Sequence, residues 1–539
     1  VMLRHNVFSI EYSQYDFFVG VYSNDPATVA AVQGIADTMP HVHCVIGPEP
    51  GPTNKAANLN IVYKHISQHE KEHGIEYDMF VLHDSEDVIH PLGFKLFNYL
   101  SARFDMIQIP VFPLPVALYH LTHWTYAAEF SEIHTKDIFV RERIGGLVPS
   151  AGVGTAFSRR AIEMLTRKQG APFRGGTLTE DYDTALQLRL GGLSQAFVSQ
   201  SMLRTEWRKK WFFFGKPVAI VVNKNIATQS LFPMSYIKAV RQKTRWILGI
   251  AFQEWVSQGW QGNAATIYTL MHDRKSLFTH LVDGMFFILM PFWMLYIVLA
   301  WQYPDYPTLQ DRFDQSPWVW ILVISSTVMM INRILQRMIG LFRVYGFWPA
   351  LLTPVLIIYG NIINLHALLR AYHQFLFEPV AKQGGVAKWD KTDHHFAAEH
   401  SLIPVKEKLG SILVENKIIT KEQLAIALNE QAKSGMQLGS ILVELGYIDQ
   451  LQLMNSLAKQ FKLSVIPASE VIALPFESLK NLSRFAYGKM MHYHCIPVKL
   501  ENNELTIAFD DPSNEVLLKQ VIDWVKPYRA RFVLITERP

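Results

Sequence analysis

Residues 79–87 read MFVLHDSED: four apolar side chains in a row, then a histidine, a serine and three carboxylates. A short apolar run without alternation predicts a strand buried on both faces. Carboxylates just past its carboxyl end would face the crevice where α/β sheets bind ligands. Working outward, FFVGVYS at 17–23 and DMIQIPV at 105–111 repeat the pattern, with helical stretches between them. Residues 7–250 are therefore predicted to form an α/β domain on a parallel sheet. Asp84 and Glu86, one residue apart, can share a hard divalent cation that also holds a diphosphate. Taken alone, a solvated acidic loop is the simpler account of them.

At 539 residues the chain is too long for one ordinary domain, and about three are expected. Only 18% of residues are charged, against about 25% in soluble proteins. With 49% apolar residues, 13 Trp and 33 Phe, this points to contact with a lipid bilayer. A net charge of +4 gives no case for nucleic acid, and no such partner is expected. Cys44 and Cys495 lie far apart without metal-ligand spacing, which excludes a disulfide framework and suits a reducing compartment. The chain begins at Val1 without a leader and its last unit runs to the final residue, so both ends are expected to be cut from a longer protein.

Three apolar segments follow the α/β region. Gly284–Tyr303 and Gln315–Asn332 carry no charge, and residues 344–369 are interrupted by Pro349, Pro354, Gly360, Asn361 and Asn364. Each is long enough to span. Arg274 and Lys275 precede the first, Arg333, Arg337 and Arg343 follow the second, and the loop between is acidic. The positive-inside rule makes these two an out-and-back pair, at about 281–303 and 315–332, with both ends cytoplasmic. Residues 344–369 have arginine at each end, which predicts a re-entrant or interfacial segment.

Three further stretches carry chemistry. In TLTEDYD (177–183), Asp181 beside Glu180 and Asp183 could keep a raised pKa and act as a base. Acidic residues also complement helix N-termini, and the two accounts fit equally. In QKTRW (242–246), Gln242, Arg245 and Trp246 share a helix face that could hold a diphosphate and a sugar ring. An amphipathic helix on the membrane, anchored by Trp246, Trp255 and Trp260, fits as well. KAANLN (55–60) reads as a helix start with Lys55 free to approach phosphate.

KAANLN, HDSED, TLTED and QKTRW in this order, the last just before paired apolar helices, resemble the membrane-embedded, cellulose-synthase-like family 2 glycosyltransferases. The resemblance covers roughly residues 7–370 and includes GVGTAFSRR (152–160), similar to a segment that shapes the acceptor side. It implies that Asp84 and Glu86 hold Mg²⁺ or Mn²⁺ on a nucleotide diphosphate and that Lys55 contacts the nucleotide. It implies Asp181 as the base for inverting displacement, flanked by Thr179 and Glu180, with Gln242, Arg245 and Trp246 on the leaving diphosphate and acceptor sugar. Asp25 in YSNDPAT matches the family's uracil-pairing acid only loosely, and the DxD reads Asp-Ser-Glu.

LGSILVE occurs twice, at Leu409–Glu415 and Leu438–Glu444. Each copy leads into a helix ending Leu-x-x-x-Leu-x-x-Gln: Leu409, Gly410, Leu413, Leu424, Leu428 and Gln431 in one, Leu438, Gly439, Leu442, Leu453, Leu457 and Gln460 in the other. Thr420 with Gln423, and Asp449 with Gln452, look like capping boxes. A plain helical bundle accounts for the leucines, while the glycines would let a ligand approach the backbone and the repeat suits a twofold ligand. The pattern resembles the N-terminal cyclic-di-GMP-binding module of type II secretion and type IV pilus ATPases. There the motif opens with arginine, replaced here by Lys408 and Gln437. A strand–turn–strand–helix–strand unit follows, with the turn at 501–503.

The expected architecture is an α/β GT-A-like glycosyltransferase domain (1–262), a membrane region of transmembrane and interface helices (263–375), a linker (376–404), a mostly helical tandem-repeat module (405–463) and a small α+β subdomain (464–539). The layout resembles the family of inner-membrane subunits of the phage N4 adsorption apparatus. That implies a UDP-N-acetylhexosamine donor, a growing glycan acceptor, gating by cyclic-di-GMP and an outer-membrane export or receptor subunit as partner. A scaffold with a docking tail is the alternative. A cytosolic donor and a cytosolic second messenger place both soluble parts on the cytoplasmic face of the inner membrane, so residues 344–369 should not cross.

Overall fold

The computed structural model describes residues 2–37, 39, 41–51, 53–211, 214–303, 305–314, 317–377, 409–434, 436–461, 463–501, 503–509 and 515–535. Lys408 and most of the expected linker lie outside the described residues. The chain divides into two compact units. Among described residues one holds 2–14, 20–24 and 45–377, and the other holds 15–19, 25–44 and 409–535.

Among the described residues ten strands precede the apolar helices: β1 Phe17–Tyr22, β2 Val42–Gly47, β3 Met79–Leu82, β4 Met106–Gln108, β5 Val111–Pro113, β6 Thr155–Ser158, β7 Gln195–Phe197, β8 Ser201–Trp211, β9 Phe214–Asn225 and β10 Thr228–Ser230. The central sheet has the order β3-β6-β4-β7. It is mixed, which corrects the parallel sheet expected from the sequence. β6 runs antiparallel to both β3 and β4, while β4 and β7 are parallel. Apolar periodicity reports burial and not direction, so an inserted antiparallel strand leaves no trace in it.

Beneath this sheet Met106, Phe157, Leu165, Tyr182, Leu186 and Leu188 form the main core. Tyr182, Leu186 and Leu188 belong to the helix Glu180–Leu190, so burial of that helix fixes where TLTED lies. The side-chain amide of Gln108, fully buried, fixes the loop into β6. Its Oε1 accepts from Ala151 N (2.9 Å) and Thr155 Oγ1 (2.6 Å), and its Nε2 donates to Val153 O (3.0 Å).

Among the described residues three helices are long and apolar enough to cross a membrane: Ser276–Gln302, Pro317–Tyr345 and Thr353–Phe377. The second continues past the predicted end at 332 and carries Arg333, Arg337 and Arg343 with it. The third is unbroken from Thr353 onward. Pro354 sits in its first turn, where a missing N–H costs nothing. Pro349 belongs to a separate short helix, Phe347–Leu351. Gly360, Asn361 and Asn364 therefore do not interrupt it, contrary to expectation. Its most apolar stretch is 33% buried within the protein, against 6% and 0% for the other two.

In the second unit each LGSILVE is a helix, followed by Lys421–Ser434 or Gln450–Phe461. Both capping boxes form: Thr420 N donates to Gln423 Oε1 (2.8 Å) and Gln423 N to Thr420 Oγ1 (3.2 Å), with Asp449 and Gln452 repeating the exchange at 3.0 and 2.7 Å. The lobe that follows has β11 Ser464–Ile466, β12 Ile496–Glu501, β13 Glu504–Phe509 and β14 Arg529–Ile535, in the order β11-β14-β13-β12. Met454 and Ala458 of the repeat join its core with Leu505, Ile507 and Val521.

Candidate functional site

Lys55 opens the helix Lys55–His73, whose N-cap Asn54 accepts from Ala57 N at 2.7 Å. Capping starts the helix at that residue and leaves the lysine side chain beside the end of β3. Its Nζ stands 2.5 Å from Asp84 Oδ1, 4.0 Å from Glu180 Oε1 and 3.4 Å from the carbonyl of Gly152. KAANLN, HDSED and TLTED, spread over more than 120 residues, thus meet at one ammonium group. Asn60 of the first motif pins the loop before TLTED, donating to Phe173 O at 2.8 Å and accepting from Phe173 N at 3.1 Å.

The HDSED turn is set by its last residue. Asp87 is buried and accepts from Asp84 N (2.8 Å), with His83 Nδ1 at 3.3 Å. Spacing in the sequence favours Asp84 and Glu86 and gives no sign of this role for Asp87. Glu86 is 9% exposed and accepts from Ser85 Oγ at 3.1 Å. Asp25 N-caps the helix Pro26–Ala36, accepting from Thr28 N and Thr28 Oγ1 at 3.1 and 2.8 Å.

Asp181 accepts from Tyr182 N at 2.8 Å and lies against Gly152, where an added Cβ would come within 2.7 Å of Asp181 Oδ2. Gly152 also has φ +74°, so glycine is required there for both space and backbone. Burial raises the Asp181 pKa against the opposing charges of Lys55 and Arg245. Burial, then the Asp181 charge, pushes Glu180 up to about 7. For Lys55, burial alone would lower the pKa, and Asp84 and Glu180 more than reverse it. Three carboxylates, Asp84, Glu180 and Asp181, surround the Lys55 ammonium. Asp84 and Glu86, at the end of β3, are hard oxygen donors of the type that Mg²⁺ or Mn²⁺ takes.

The helix Tyr236–Trp246 carries QKTRW. Trp246 packs edge-on to Tyr126 with ring centroids 5.9 Å apart, and Arg245 acts electrostatically on Asp181. A π-helical turn, Ile247–Gln253, continues it, and Gly249 in that turn is seated directly on Thr179. Among the described residues the buried atoms Thr179 Oγ1 and Gln242 Oε1 have no hydrogen-bond partner. Buried polar atoms ordinarily have one. The FRGG loop, whose glycines suggest flexibility, is tied down: Arg174 lies 3.0 Å from Asp183 and 3.2 Å from Glu254.

The carboxyl pair sets a pH dependence. Glu180 holds its proton to about pH 7 when folded and gives it up near 4.5 when unfolded. Its contribution to stability is thus complete below 4.5 and lost as the pH rises to about 7. Glu180→Gln removes that loss and one negative charge beside Asp181. Its melting temperature at pH 8 should rise, and a melting temperature that stayed at the native value would rule out the buried, raised carboxyl.

In the repeat, Leu413, Leu424, Leu442 and Leu453 are buried in one core with Leu409, Leu438 and Leu457 against it. Leu428 and Gln437 are exposed, Gln460 is half-buried, and Gln431 Nε2 donates to Met436 O at 3.2 Å. The glycines do not face open space. A Cβ at Gly410 would meet Leu424 and Leu438, and one at Gly439 would meet Leu453 and Leu409.

Residues 1–249 match the family described as "Glycosyltransferase like family 2". Residues 471–538 match the MshEN domain, which places that match on the α+β lobe and not on the doubled repeat before it. The chain is 36% identical over 535 residues to bacteriophage adsorption protein B of Escherichia coli (strain K12), covering 98% of this chain and 69% of the relative. The same figures hold for bacteriophage N4 adsorption protein B of Escherichia coli O157:H7. A solved structure of MshE with cdg is 29% identical and covers 24% of this chain and 90% of that one, at a TM-score of 0.22.

Proposed function

The chain belongs to the bacteriophage adsorption protein B family, and from that membership we propose that it is an inverting, processive membrane glycosyltransferase activated by cyclic-di-GMP. It would use a UDP-N-acetylhexosamine to build and export a polysaccharide. One observation carries the reading: Lys55 Nζ stands 2.5 Å from Asp84 and 4.0 Å from Glu180, with Asp181 alongside, so the site assembles in one place.

Asp181 takes the proton from the acceptor hydroxyl as that oxygen bonds to the anomeric carbon. The bond from that carbon to the diphosphate oxygen breaks, and its electron pair leaves with UDP. Lys55 and Arg245 bind the negative charge that develops on the leaving oxygen, and fixed charges aimed at such a position lower the barrier more than they tighten binding. Gln242 orients the diphosphate and Trp246 offers a face to the acceptor sugar. Asp84 and Glu86 would hold Mg²⁺ or Mn²⁺, which when bound neutralises charge on the diphosphate.

A donor and a second messenger that are both cytosolic put the two soluble parts on the cytoplasmic face of the inner membrane. The third apolar helix, although long enough to cross, would then lie at the interface without crossing. A cysteine placed at Phe377 should stay unlabelled by an impermeant maleimide applied from the periplasmic side. Labelling there would reverse the topology. The reaction itself is tested by UDP release from the full chain with and without cyclic-di-GMP, against Asp181→Asn. The relatives' name favours a second reading, a receptor scaffold with a docking tail, which equal release by both proteins would select.

A further inference from the structure

We propose that Lys243, Glu129 and Asn364 form a buried coupling through which the third apolar helix positions the QKTRW helix and, beyond it, Thr179. The catalytic consequence rests on the reading above, while the coupling itself rests on geometry alone.

Lys243 lies within QKTRW but is 5% exposed, buried with Thr244 while Gln242, Arg245 and Trp246 are half-buried. Its ammonium has three protons to donate. The three acceptors are Glu129 Oε1 at 2.8 Å, Glu129 Oε2 at 2.7 Å and Asn364 Oδ1 at 2.7 Å. Two more contacts join the same two helices: Thr244 Oγ1, which donates to Val240 O of its own helix at 2.8 Å, lies 3.2 Å from Ala367 O, and Tyr236 OH lies 3.1 Å from His366 Nδ1. One side of the QKTRW helix is thus held by the third apolar helix at residues 364, 366 and 367.

Glu129 belongs to the helix Leu121–Glu132, which both later apolar helices also grip. Glu132 accepts from Arg337 Nε of the second at 2.8 Å, and Thr122 Oγ1 meets Tyr359 OH of the third at 3.1 Å. Gly340 lets the second helix approach so closely that a Cβ there would lie 3.1 Å from the Glu132 backbone nitrogen. Leu121–Glu132 is therefore a bar that both apolar helices and the QKTRW helix share. On the far side Trp246 runs into the π-helical turn whose Gly249 sits on Thr179. Such turns occur often at functional sites. A shift of the third helix must therefore move Gln242 and Arg245 and press on the TED motif.

The test uses the full chain in lipid nanodiscs. Asn364→Ala should speed hydrogen exchange over residues 236–253. It should also lower turnover on the order of tenfold, within the hundredfold that a displacement of about an ångström costs. Donor KM should stay within about twofold, because the lost interaction is one of placement. If Asn364 acts through Lys243, the double variant Asn364→Ala/Lys243→Met loses no more turnover than Lys243→Met alone. Additive losses would overturn the proposal, as would unchanged exchange or unchanged turnover in Asn364→Ala. Should Lys243→Met fail to accumulate, Asn364→Ala decides by itself. A wild type that released no UDP from any nucleotide sugar would sink the proposed reaction, and the exchange measurement, which needs no donor, would still decide the coupling.

Discussion

Asp181→Asn is expected to lower UDP release by on the order of 10²–10⁴-fold, the range for removing a positioned general base. Donor affinity should change little. The substitution is close to isosteric, which matters at this position. Asp181 Oδ1 accepts from Tyr182 N, and Oδ2 faces Gly152 where not even a Cβ fits. An asparagine oxygen can keep the first contact and its amide can occupy the second position without a clash. What the amide cannot do is take a proton. Burial already raises the aspartate pKa, so the native carboxylate is a better base than an exposed one. On the proposed reading donor binding would draw mainly on Lys55, Asp84 and Arg245, which the change leaves in place. The measurement is a coupled UDP assay paired with equilibrium binding of the nucleotide sugar. Loss of both rate and binding together would point to a folding defect, and loss of neither would end the catalytic reading.

The motifs that meet at Lys55 are legible because each is local: a capped helix start, a strand end, a helix N-terminus. The fold brings three of them together at one ammonium group. Residues that work by pairing across the chain are not legible. Lys243 reads as one more cation on an amphipathic helix, and its partners are 114 and 121 residues away. Asn364 reads as an interruption of an apolar segment, when its amide is what that segment uses to hold the QKTRW helix. Asp87 loses to Glu86 on spacing alone, since only the folded turn shows which carboxylate accepts the Asp84 amide. Strand direction is hidden for a similar reason, because β6 is as apolar antiparallel as it would be parallel.

Leucine at both Gly410 and Gly439 is expected to unfold the doubled repeat, a larger effect than weakening one ligand contact. Glycine at these positions suggests, from sequence, a place where a ligand reaches the backbone. The geometry gives them a prior use. A Cβ at Gly410 would lie 2.7 Å from Leu424 Cδ1 and 3.4 Å from Leu438 Cδ2; at Gly439 the values are 2.7 Å to Leu453 Cδ1 and 3.2 Å to Leu409 Cδ2. Each glycine thus admits a leucine of its own copy and the leading leucine of the other, which is how two short helices share one core. Overpacking costs about 1–3 kcal/mol per site, occasionally more. Two such sites cost about 2–6 kcal/mol together, which reaches the lower end of a domain's stability of about 5–15 kcal/mol, where so small a core belongs. Limited proteolysis of the full chain should show the tail cut rapidly in the double variant, with any response to cyclic-di-GMP gone. Gln460→Ala, at a half-buried position outside that core, should keep the tail resistant and report on ligand contact alone. A double glycine variant that stayed resistant yet lost the ligand would return the glycines to the ligand, and would mean the leucines have room to move that the packing does not show.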